Sequence, residues 1–82
     1  MEPLNFQLEA VKERFPEFKS DILALYYHDN EFRTICEDYY LCLQYLNKFQ
    51  KEFSERREYI EEYERTLVDL EKELHERINR NK

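Results

Sequence analysis

One column of side chains runs almost the length of this chain. Every seventh residue from Leu4 to Leu74 is apolar: Leu4, Val11, Phe18, Leu25, Phe32, Tyr39, Leu46, Phe53, Ile60, Leu67 and Leu74. With 41% apolar residues overall, a run of eleven in one register arises by chance roughly once in a few thousand sequences. The column is therefore a structural signal. A seven-residue repeat lines one seam of an α-helix, where a second helix can bury it. The chain has no Gly and two Pro, so nothing supplies the positive φ of tight β-hairpins. An all-α fold follows.

The chain of 82 residues makes a single helical domain. A domain this small buries a modest share of its surface, and no disulfide framework or metal-ligand cluster compensates. Self-association is the remaining source of buried area. The net charge of -6 argues against nucleic-acid binding, because acids interleave with Arg56, Arg57, Arg65, Lys72, Arg77, Arg80 and Lys82 and leave no basic face. No apolar run approaches the ~20 residues of a membrane span. The N-terminus carries Glu2 and Glu9 and no apolar h-region, which reads as no secretory signal and makes a cytoplasmic location the expectation. Cys36 and Cys42 lie about 120° apart around a helix. They read as two reduced core residues rather than a disulfide or a metal pair.

Local signals divide the chain. Leu4, Leu8, Val11, Phe15, Phe18, Ile22 and Leu25 form a helical stripe interrupted by Pro16, which forces Phe15 toward extended geometry and suits a first helical turn. Helices are predicted around residues 5–14 and 16–27 with a kink between them. Asp29 and Asn30 are good N-caps, so a short break is predicted there. From Phe32 the repeat is a strict three-four: Phe32, Ile35, Tyr39, Cys42, Leu46, Phe49 and Phe53. Tyr40, Leu41, Leu43 and Tyr45 make this predicted central helix, residues 31–52, apolar beyond its seam, and a helix of that kind is covered on several sides. Beyond Glu55 the seam narrows to Ile60, Tyr63, Leu67, Leu70 and Leu74, with Ile78 near the end. Glu61–Arg65, Glu73–Arg77 and Glu76–Arg80 stand at i,i+4 with the acid first.

The junction supports two readings. Ser54 can cap a new helix with Glu55 and Glu58 in its first turn, giving an antiparallel hairpin with a turn at 51–56. Yet no Gly, Pro or Asn marks that turn, and the column passes unbroken from Phe53 to Ile60. One long helix from about 30 to 79 in an oligomeric coiled coil is the alternative.

The run Phe15-Pro16-Glu17-Phe18-Lys19-Ser20-Asp21-Ile22-Leu23, followed by Asn30-Glu31-Phe32, resembles the opening of the YdcH-like proteins, short bacterial helical proteins without an assigned activity. The resemblance covers residues 15–78 and leaves 1–14 as an N-terminal extension. It implies a helical hairpin with coiled-coil-like packing that associates into dimers or larger bundles, and no catalytic residues. Members often carry Gly near the turn, which this chain lacks. The resemblance tips the junction toward the hairpin.

Chemical sites are scarce. His28 and Asp29 are adjacent and do not face each other, so Asp29 reads as a cap and His28 as an exposed corner. Glu71 and His75 stand at i,i+4, a weak metal signal without further ligands. No phosphate loop, nucleophile elbow or Cys-x-x-Cys occurs. The expectation is a non-enzymatic protein without cofactor or metal, a homo-oligomer that acts through protein–protein contact. The residues assigned to self-association or partner binding are Phe32, Ile35, Tyr39, Tyr40, Leu43, Leu46, Phe49, Phe53, Ile60, Tyr63, Leu67, Leu70 and Leu74. A monomeric regulator or adaptor that binds a helix of a partner protein is the alternative.

Overall fold

The computed structural model describes residues 5–52 and 57–80, with the side chains of Phe49 and Glu52 outside the described set. Its elements are α1 (Phe6–Arg14), a 3₁₀ turn (Pro16–Phe18), α2 (Lys19–His28), α3 (Asn30–Glu52) and α4 (Arg57–Arg80). There is no strand among the described residues.

Each boundary has a local cause. Asn5 opens α1, its Oδ1 accepting the Leu8 N–H at 3.1 Å, the usual N-cap geometry. The helix stops at Phe15, held at φ -126° and ψ 66° by the following proline ring. Pro16 then starts the 3₁₀ turn, where a missing N–H costs nothing, and the Phe18 N–H donates to the Phe15 carbonyl at 3.1 Å. The kink expected at Pro16 is thus a break between two helices joined by one tight turn.

The break before α3 is a single extended residue. Asp29 donates its N–H to the Leu25 carbonyl at 2.8 Å, ending α2. Its Oδ1 accepts the N–H groups of Glu31 and Phe32 at 3.0 and 3.2 Å, starting α3. Arg33 closes the corner from the other side. Its guanidinium donates to the Tyr26 and Tyr27 carbonyls at 3.0 and 3.4 Å, satisfying the carbonyls that a helix end leaves over.

Helices α3 and α4 form the antiparallel hairpin. Cys42 donates its thiol to the Tyr63 carbonyl at 3.2 Å, and Arg77 Nη2 donates to Glu31 Oε2 at 2.9 Å. The start of α3 therefore meets the end of α4, and the chain reverses between Glu52 and Arg57. The single-helix alternative is not the arrangement within one chain. Lys51 and Glu52 of the turn expected at 51–56 are helical, and its remaining residues 53–56, with the expected Ser54 cap, lie outside the described residues.

α1 and α2 lie across one end of the hairpin. Leu8, Val11 and Phe15 of this cover pack with Ile22, Leu25 and Tyr26 against Phe32, Ile35, Cys36 and Tyr39 of α3 and Leu74 and Ile78 of α4. The core is gathered at this base. Beyond it, α3 and α4 continue as a two-helix arm, where Cys42 and Leu46 are buried outside the main cluster. Residues 5–14, part of the segment expected as an N-terminal extension, supply Leu8 and Val11 to the core.

Candidate interaction surface

Most of the seam is occupied within one chain. Phe32, Ile35, Tyr39, Leu46 and Leu74 are buried, and Tyr40, Leu43, Ile60, Tyr63, Leu67 and Leu70 are half-buried. The Phe49 side chain and all of Phe53 lie outside the described residues. The seam thus builds the hairpin itself.

What faces water lies beside it. On the arm, Leu41 is 47% exposed, Tyr45 46% and Tyr59 44%. Leu41 and Tyr45 are one helical turn apart on α3, and Tyr59 and Tyr63 one turn apart on α4. The Tyr45 and Tyr63 rings meet with centroids 5.7 Å apart, which joins the two strips into one patch. On the other flank, Tyr40 stacks with Phe6 of α1 at 6.5 Å. Five residues separate Tyr40 from Tyr45, about 140° around a helix, so the patch is turned away from α1. Exposed carboxylates edge it. Asp38 stands three residues before Leu41 and Glu62 three after Tyr59.

A second concavity lies at the base. Arg14, Phe15, Pro16, Glu17, Val68, Glu71, Lys72 and His75 line an open groove of about 500 Å³. His75 stacks on Phe15 at 6.0 Å and meets Phe18 edge-on at 6.1 Å, while Arg14 pairs with Glu71. The Glu71–His75 pairing considered in the sequence is replaced by these contacts, which join the cover to α4. No group of three metal-ligating side chains occurs among the described residues. Nor is any helix among them long and apolar enough to cross a membrane.

Burial favours the neutral forms of Cys36, Tyr39 and Cys42. Burial, reinforced by the charge of Glu37, pushes the Cys36 thiol up to about 12. Burial also raises Cys42. Tyr39 is pushed up to about 12 by burial first and then by Glu71. A thiol held this far from ionisation is a poor nucleophile, so these cysteines act as small apolar fillers. Both are free.

Sequence reasoning gave Arg77 one partner where the structure gives it three. Its guanidinium lies 2.9 Å from Glu31, 3.9 Å from Asp29 and 4.0 Å from Glu73. It ties the end of α4 to the corner that Asp29 caps. The Glu73–Arg77 spacing shows one of these partners, while the other two depend on how the helices pack.

Comparison with family models, curated proteins and solved structures found no match to this chain.

Proposed function

We propose that this chain is a non-enzymatic helical protein that self-associates and works through protein–protein contact, with the arm as its interaction surface. The patch of Leu41, Tyr45, Tyr59 and Tyr63 carries this reading. Tyrosine joins a large apolar body to a polar tip and is favoured where a surface must be both wetted and bound. Fully burying one side chain of Leu size is worth about 1.5–3 kcal/mol, so a few such residues covered together amount to a useful fraction of a binding energy. Two free thiols buried in a small domain fit a reducing compartment, which supports a cytoplasmic location. The Phe15-Pro16-Glu17-Phe18 opening supports a place beside the YdcH-like proteins.

The test is mass by light scattering at low and high protein concentration. The native chain is expected to gain mass with concentration. Leu41→Glu combined with Tyr45→Glu should lower that mass while circular dichroism stays helical, because both side chains are exposed. An unchanged mass in the double variant removes the patch as the interface.

The carboxylates of Asp38 and Glu62 favour a second reading, an adaptor whose patch receives a cationic amphipathic helix of another protein. In that case the free chain is a monomer at every concentration. Binding of a Lys/Arg-rich amphipathic peptide then weakens with salt.

A further inference from the structure

We infer that two copies of this chain pack α3 against α3, antiparallel and crossing beside residue 43, so that Leu41 of each meets Tyr45 of the other and Asp38 of each meets Lys48 of the other. The inference rests on the self-association proposed above and gives the patch its partner and its orientation.

The first ground is a second seam on α3. Thr34, Asp38, Leu41, Tyr45 and Lys48 follow one another at spacings of four, three, four and three, the repeat of a helix that packs along one line. All five are exposed. The first seam, through Ile35, Tyr39, Cys42 and Leu46, is buried within the chain. Cys42 faces α4, and the second row is centred about 80° around the helix from it. That is the flank away from Tyr40 and its stacked Phe6, so the cover does not reach it.

The second ground is self-complementarity. A two-fold contact repeats each pairing with the roles exchanged. The row carries an acid near one end, a base at the other and an apolar pair between them. Asp38 and Lys48 are centred on residue 43, and so are Leu41 and Tyr45. Reversing the row against a copy of itself therefore sets apolar on apolar in the middle and opposite charges at both ends, over about 15 Å of helix. Neither Asp38 nor Lys48 forms an ion pair among the described residues, which leaves both charges for a partner.

The third ground excludes the other two-fold. Cys42 is level with Tyr63 and Asp29 with Arg77 across the hairpin, so Asp38 is level with residues 67 and 68. With the two α3 helices parallel, each would lie over α4 of the other copy. Asp38 would then come beside Asp69, an exposed acid one heptad after Glu62, and like charges oppose such a contact. The exposed row of α4, through Tyr59, Glu62, Thr66 and Asp69, contains no cation. α4 therefore borders the contact with Tyr59, and α3 carries it.

The experiment measures the dimer constant of the full chain by sedimentation at low ionic strength, where exposed charges are least screened. Asp38→Lys and Lys48→Asp each turn two attractive pairs into repulsive ones, and each should weaken the dimer about tenfold. Circular dichroism should stay helical, since both side chains are exposed. Mixing the two variants should restore native strength, because one chain then presents two cations to two anions of the other. Asp38→Lys combined with Lys48→Asp in one chain should recover it as well. Weakened variants that mixing does not rescue, a dimer that either variant leaves unmoved, or one that Asp38→Lys strengthens overturns the antiparallel pairing and leaves self-association standing. A native chain that is monomeric at every concentration overturns the pairing and self-association together and leaves the adaptor reading.

Discussion

Cys36 and Tyr39 stand one turn apart on α3 and are buried under α1 and α2. Both are acids whose ionisation the fold opposes, from 9.0 to about 12 for the thiol and from 10.0 to about 12 for the phenol. A raised pKa in an acid means that the folded state holds its proton longer than the unfolded state does. The stabilisation is complete below the unfolded values and is lost as pH rises through the folded ones. Urea midpoints should therefore hold up to about pH 9 and fall between pH 9 and 12, with Cys36→Ala removing the part of the fall that begins first. A midpoint that is flat across that window would contradict the burial. The roles of single residues were readable in the sequence where they depend on near neighbours. Asp29 as a cap, His28 as an exposed corner and the cysteines as core fillers all follow from local spacing. Arg77 bridging to Asp29 and Glu31, and His75 between Phe15 and Phe18, are set by packing across more than forty positions of chain, which no local pattern encodes.

Among the helices, α1 shows what packing adds to a short segment. Its nine residues are too few to hold helix alone in water. They are held by the Asn5 cap and by Leu8 and Val11 seated in the core. Leu8→Ala is expected to cost about 2–5 kcal/mol, against a typical total of about 5–15 kcal/mol for a whole domain. Leu23→Ala, at a side chain 43% exposed, should stay within about 0.5 kcal/mol. Thermal melts of the two variants check the contrast, and similar losses would show that α1 is not seated as described. The helix boundaries at Pro16 and Asp29 were marked in the sequence by residues with strong backbone preferences. The reversal between α3 and α4 was not, because the apolar column continues through it. The same seam serves a hairpin or a continuous helix, and only tertiary contacts such as Cys42–Tyr63 decide between them.

Taken whole, the molecule is built unevenly. Four helices meet at the base, while the arm has two. Amide hydrogen exchange should follow this division, with protection highest around Phe32–Tyr39 and Leu74–Ile78 and lower at residues 42–48 and 57–64, where few layers cover the backbone. Equal protection along α3 would mean that something else covers the arm. No described residue has a positive φ, so none of the described corners relies on an achiral residue. Apart from the turn that Pro16 sets, they are held by replaceable bonds from Asn5, Asp29 and Arg33. Sequence drift at these corners meets no steric wall, and the molecule can change its bends one hydrogen bond at a time while its shape persists.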